Sequence, residues 1–231
     1  LGKESFLSQG LPAVKAEEYK FTNISKKLES AIQHFSPALP FEVTQEQVKS
    51  ALFEGFEGDV LVFANGEFIP GLSSIVEDVE ISKLSEKPNT AIGSIAKASK
   101  DAFAALNQAS FADGIFISVP KKSQIEKPIL LLSFNQENGG KVIQPRVWIE
   151  VGDFAEVTFL DQSISLNDSA YFVNKVVEIK GGVNSQINYY RLQNEGKSTI
   201  EVSNIETDIQ KDAKFTSVNI SLSGDMVRNN L

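Results

Sequence analysis

The sequence predicts a mainly β protein: a parallel β-helix of stacked two-strand coils, each about 30 residues long, with an N-terminal α/β cap. One observation is a set of recurring positions. Ile117, Ile149, Ile179 and Thr207 form a column separated by 32, 30 and 28 residues. Val119, Val151, Gly181 and Ile209 form a second column, and Ile125, Val157, Ile187 and Phe215 a third, at the same separations. A further observation is that the segments between columns alternate in hydrophobicity every second residue, which is the period of a strand. Finally, the paired strands of a unit are joined by a bend with no helical stretch. VWIEV (147–151) meets Gly152 and Asp153 before AEVTFL (155–160), and VVEIK meets Gly181 and Gly182 before SQINYY. In the fourth unit Gln210 to Asp212 replace the glycines between IETDI and AKFTSV. Glycine suits such a corner because positive φ carries no steric penalty there. Two extra residues in GGVNS would instead bring Val177 and Ile179 into the first two columns, with the period unchanged. A Greek-key sandwich is the competing architecture.

Strand parity carries the reading onto the two faces. With Val147, Ile149 and Val151 inward, Trp148 and Glu150 point outward. The unshifted alignment stacks Glu150, Lys180 and Asp208 as a mixed-charge ladder on the solvent side, whereas the shifted one puts Glu178 between two acids. The second strands carry bulk on both faces: Val157 and Phe159 against Leu160, and Ile187 and Tyr189 against Tyr190 and Leu192. A strand apolar on both faces is covered on both, here by the cap or by a partner protein.

The N-terminal elements follow in order. Residues 1–35 read as helical pieces broken at Gly10, Leu11 and Pro12, with Leu28, Ile32 and Phe35 on one face and Pro37 and Pro40 as the stop. TQEQVKSALFEG opens with a capping box, Thr44 and Gln47, and closes at Gly55 and Gly58. DVLVFANGEFIPGLS reads as a hairpin turning at Asn65-Gly66, and VEISKL (79–84) as another strand. Residues 91–109 give a helical pattern from Ile92, Ile95, Ala96, Phe103, Leu106 and several alanines. The division is therefore 1–110, a mixed helical and β cap, and 111–231, the β-helix core. The ending MVRNNL has no turn or closing helix and the opening Leu1 is not methionine, so a chain trimmed at its start and continuing past Leu231 is the expectation.

Composition narrows the function. With 42% hydrophobic residues among 231, the chain has material for a sizeable core. A formal charge of −8 argues against nucleic acid as the principal ligand. The absence of cysteine removes disulfides, thiolate catalysis and cysteine-ligated metal from this chain alone. Charges interleave with the apolar residues of 1–20, unlike a signal peptide, and the longest aliphatic run, Ile129 to Leu132, is too short for a membrane. The expectation is a cytoplasmic protein without a membrane partner.

No catalytic, cofactor or metal residue is assigned. His34 is the single histidine and reads as a helix-surface or partly buried side chain. No G-x-S-x-G nucleophile motif occurs. Glu206 and Asp208 lie two apart on one strand face, about 7 Å in separation, within the span of paired glycosidase carboxyls. A solvated face paired with Lys180 and Lys211 is the simpler reading. Glu77, Asp78 and Glu80 form an acidic loop, and Gly139-Gly140 and Gly181-Gly182 are turns without a phosphate-loop context.

Three segments resemble the SufB/SufD family of iron–sulfur cluster assembly proteins. GLPAVKAEEYKFTNI (10–24) resembles its GLP-x-x-K-x-E-x-(W/Y)-(K/R)-(Y/F)-(T/S) opening, with Tyr19 where tryptophan is common. AFAALNQASFADGIFISVPK (102–121) resembles its A-x-x-A-L-N segment leading to D-G and I-x-V-P, and RNNL (228–231) its R-N-(D/N)-L. The resemblance implies a right-handed parallel β-helix and a non-catalytic scaffold that works with a SufB-type subunit and a SufC-type ATPase. The opening and the lack of cysteine fit the SufD branch better. It implies no cofactor bound by this chain alone, the cluster being handled by the assembled complex, and leaves a homodimer open. A polysaccharide-active β-helix enzyme using Glu206 and Asp208, or a purely structural solenoid, are the alternatives.

Overall fold

The computed structural model describes residues 2–13, 17–19, 23–32, 37–137 and 140–231. Two sheets face each other across a lumen. One holds, in spatial order, β12 (Lys214–Ser223), β10 (Gln186–Asn194), β8 (Glu156–Ser165), β5 (Ile129–Asn135), β1 (Asp59–Ala64) and β2 (Glu67–Phe68). The other runs β13 (Met226–Asn230), β11 (Ile200–Ile209), β9 (Phe172–Gly181), β7 (Arg146–Val151), β4 (Ile115–Val119) and β3 (Glu80–Lys83). The short β6 (Val142–Ile143) also pairs with β9. Each coil gives one strand to each sheet, and neighbouring coils pair in parallel. The chain is thus a parallel β-helix and not a sandwich. Among the described residues, antiparallel pairing appears only where β2 and β3 close the first end.

The register is the unshifted one. Ile117 lies beside Ile149, Ile149 beside Ile179 and Ile179 beside Thr207; Val119, Val151, Gly181 and Ile209 stack likewise. Val157, Ile187 and Phe215 form the third column, with Ile125 following the Gln124–Glu156 bridge. These inward residues fill an apolar half of the lumen together with Leu61, Leu131, Phe159, Val177 and Ile205.

Glycine has a different role at the corners from the one predicted. The left-handed residues are Lys122, Phe154, Asn184 and Asp212, at φ 65°, 60°, 54° and 58°, one per coil. Gly152 and Gly182 precede two of them and are needed for closeness. A Cβ on Gly182 would stand 2.6 Å from the Asp153 nitrogen of the coil before.

The wall begins before residue 111, since β1 pairs in parallel with β5 and β3 joins β4. The hairpin turn is at Asn65 and Gly66, with φ 47° and 86°, and Phe63 stands opposite Phe68. Among the described residues, four α-helices flank the coils: α1 (Gly2–Gln9), α2 (Ile24–Ala31), α3 (Gln45–Ala51) and α4 (Ala102–Ser110). Gly10 follows α1 at φ 66°, and the Thr44–Gln47 capping box opens α3. Leu28 and Ile32 bury one side of α2, while Phe35 and His34 lie outside the described residues.

The helix expected over 91–109 is confined to Ala102–Ser110. Asp101 caps it by accepting from the Ala104 amide at 2.6 Å, and Gly93 sits at φ 80°. Residues 91–101 form a strap of turns, and the amides of Gly93, Ile95 and Ala96 point at the sheet. The apolar residues still reach the interior: Ile92 and Ile95 pack near Trp148, and Ala96 beside Val176.

Candidate functional site

The outer face of the seven-stranded sheet is covered by the strap and α4. Glu178, in register between Trp148 and Glu206, is fully buried there. Its carboxylate accepts from the amides of Gly93, Ile95 and Ala96 at 2.8–3.0 Å and is paired with Arg146. Burial pulls the Arg146 guanidinium below its ordinary value, and Glu178 partly restores it. Asn107, the asparagine of the A-L-N segment, accepts from Arg146 and donates to the carbonyls of Pro145 and Asn174 at 3.0 and 2.8 Å. Asn174 in turn donates to the Phe103 carbonyl. The motif at the other end joins the same seam, with the Arg228 guanidinium 4.3 Å from the Tyr19 ring centre.

Glu206 and Asp208 both face outward, onto a cleft of about 410 Å³ that Lys97, Lys100 and Asp101 also line. Burial, and then the charges of Asp101 and Glu178, push the Glu206 carboxyl above its ordinary value. Asp208 lies in register beside Lys180, and Lys180 beside Glu150, so the mixed ladder has the expected order. Glu150 also accepts from the Trp148 indole at 3.0 Å. Of the expected acidic loop, Glu80 instead opens β3 and pairs with Lys87. Among the described residues, no group of three or more His, Cys, Asp or Glu side chains is placed to hold a metal ion. Nor is any helix among them long and apolar enough to cross a membrane.

The second half of the lumen is charged, which sequence reading missed. Lys175 binds both oxygens of Asp161, and Arg191 pairs with Glu201. Tyr189 donates to Asp161 at 2.8 Å. Glu195 accepts from Asn135, Ser165 and Tyr171 at 2.7, 2.8 and 2.7 Å. Burial works against the Asp161 carboxylate, but Lys175 and Arg191 outweigh it and hold the carboxyl below its ordinary value. Burial pulls Lys175 down and pushes Glu201 up. Parity carried the signal. Asp161 and Ser163 follow Val157 and Phe159 at inward positions, as Arg191 and Gln193 follow Ile187 and Tyr189.

The outer face of the six-stranded sheet is covered on its first rungs only. Val48, Ala51 and Leu52 of α3 and the loop after it pack on Val60, Val62, Leu130 and Leu132. Along the same columns Leu130 is followed by Leu160, Tyr190 and Val218, and Leu132 by Gln162, Leu192 and Ile220. Tyr190, Val218, Ile220 and Leu222 are exposed, and an apolar groove of about 340 Å³ runs along the first three to Phe53.

The family model described as the SufBD protein N-terminal region matches residues 2–131, and the one described as SUF system FeS cluster assembly, SufBD core domain, matches residues 133–231. The iron–sulfur cluster assembly protein SufD of Escherichia coli is 24% identical over 98% of this chain and 53% of its own length. An iron–sulfur cluster assembly SufBD family protein of Synechocystis is 25% identical over 96% of this chain and 52% of its own length. The chain thus spans about half the length of the curated relatives it matches. With these two matched regions, 2–131 and 133–231, covering nearly its whole length, the chain belongs to the SufBD family of iron–sulfur cluster assembly proteins.

Proposed function

We propose that the chain belongs to a non-catalytic scaffold subunit of an iron–sulfur cluster assembly complex. On this reading it acts in the cytoplasm beside a SufB-type subunit and a SufC-type ATPase, and the cluster is cargo of the assembled complex. The observation that carries the reading is the uncovered apolar strip on an otherwise well-packed rod. Exposed contiguous apolar surface of this kind marks a protein contact. Two open rungs, β10 and β12, span about 10 Å, the width of one packed helix. They continue the columns that α3 covers. The occupant is therefore an apolar-faced helix of a partner subunit.

The test is co-purification of the full-length protein from its own cells. Recovery of both an ATPase subunit and a SufB-type subunit supports the scaffold role. Recovery of neither, from a folded and stable bait, overturns it.

A further inference from the structure

The strap that covers the outer face of β9 and β11 is thinly held. Of residues 93–100 only Ala96 and Ala98 are buried, and Lys97, Ser99 and Lys100 are exposed. Few buried apolar contacts give a segment low local stability. Its anchors are hydrogen bonds. Glu178 takes the amides of Gly93, Ile95 and Ala96, and Gln9 of α1 donates to the Ala98 carbonyl at 2.7 Å. At one end Gly93 stands at φ 80°. At the other, Asp101 accepts from the Ala104 amide and the Asn204 side chain at 2.6 and 3.0 Å.

The cleft of about 410 Å³ lies between this strap and β11. Glu206 and Asp208 line one side of it, and Ser94 to Lys97, Lys100 and Asp101 the other. Glu206 is the register partner of Glu178, one strand spacing of about 4.8 Å away. Like charges placed directly opposite destabilise a sheet. The charged groups around Glu206 are Lys97, Lys100 and Asp101 from the strap, Glu178 with its partner Arg146 from the neighbouring strands, and Asp208 beside Lys180.

We propose that residues 93–100 are a proton-linked lid, which closes over the cleft while Glu206 is protonated and lifts from β11 when Glu206 ionises. An ionised carboxylate needs water, and the closed strap keeps water from it. Burial, then Asp101 and Glu178, push the Glu206 carboxyl up, and Lys100 opposes them. The closed state therefore holds the proton more tightly than the open one. Closure is fully supported below the ordinary carboxyl value of 4.5 and weakens as pH rises through the closed-state value. Opening strands no bare charge, because Glu178 keeps Arg146 when the amides leave. The rival control is Glu178 itself. Loss of its charge would release the three amides in acid, which is the opposite dependence.

Amide hydrogen exchange of the full-length protein, read by mass spectrometry at about pH 5 and about pH 8 and corrected for intrinsic rates, tests the lid. Peptides covering 93–100 are expected to be several-fold better protected at the lower pH, while peptides of β9 hold equal protection. Glu206→Gln should show the acid-like protection at both values. Asp208→Asn, in the same cleft but beside Lys180, should keep the wild-type difference. Equal wild-type protection at the two values overturns the lid. So does better protection at the higher pH, which would assign control to Glu178. A wild-type difference that survives in Glu206→Gln, or vanishes in Asp208→Asn, overturns it as well. If Glu206→Gln does not fold, Glu206→Thr, uncharged and strand-forming, repeats that arm.

Discussion

Arg146 and Glu178 stand on adjacent strands, two positions out of register, and form an ion pair from which water is excluded on both sides. Removing one partner of a buried pair leaves the other charge unmatched and costs about 3–5 kcal/mol, whereas replacing both is much less costly. Here Glu178 also holds the amides of Gly93, Ile95 and Ala96, so the strap depends on it. Arg146→Met and Glu178→Ala are each expected to lower stability by about 3–5 kcal/mol in urea unfolding. The double variant Arg146→Met, Glu178→Gln, which keeps one acceptor oxygen for the Ile95 and Ala96 amides, should lose clearly less than the sum. Additive losses would show that the pair is not coupled.

Glu206 gives a pH signature of defined sign. Its carboxyl is raised above the ordinary 4.5 in the folded state, so the folded protein holds that proton more tightly than the unfolded chain does. Stability from this group is present below pH 4.5 and declines as pH rises through the folded-state value. Glu206→Gln is therefore expected to stabilise the protein at neutral pH and to change little in acid below that window. Unfolding midpoints measured from pH 4 to pH 7, values set by that ordinary carboxyl range, check it. A variant less stable than wild type at neutral pH would contradict the assignment.

The coil corners separate close approach from backbone handedness. Gly182→Ala would put a methyl 2.6 Å from the Asp153 nitrogen and 2.8 Å from the Gly152 carbonyl carbon, neither of which can swing aside. Overpacking of this kind costs about 1–3 kcal/mol. Phe154 is half exposed and sits at φ 60°, a conformation that costs an L residue about 1–2 kcal/mol relative to glycine. Phe154→Gly should therefore leave stability unchanged or slightly raised. Equilibrium urea unfolding of the two variants checks both signs.

What the sequence made legible was whatever depends on period and parity. The separations of Ile117, Ile149, Ile179 and Thr207 carried the period and offered the register that forms, with the two-residue shift at GGVNS as its alternative, and alternation put Trp148 on the outer face. The capping box at Thr44 and the turn at Asn65-Gly66 are local, and both form. The strap was not legible. Its residues have helical spacing, but their amides are drawn to Glu178, more than eighty positions away. The charged half of the lumen was hidden for a related reason. A polar residue at an inward position looks like a solvated one until its partner on the opposite sheet is known, as Lys175 is for Asp161.

The uncovered strip yields the prediction that bears on function. Val218 and Ile220 are 46% and 51% exposed, so neither supports much of the fold. Their replacement by serine is a surface change, expected to shift stability by no more than about 0.5 kcal/mol. At a partner helix the same change removes two apolar anchors at the centre of a groove that Leu192 and Tyr190 flank. Truncated contacts at such a position cost binding above about 1 kcal/mol each. In the full-length protein, Val218→Ser with Ile220→Ser should therefore keep the wild-type unfolding midpoint while recovery of the partner subunits falls several-fold. Lys214→Ser, on the same strand and outward side but outside the groove, should leave recovery unchanged. Undiminished recovery in the double variant would remove the strip as the contact surface, and a parallel fall in both quantities would assign it to folding instead.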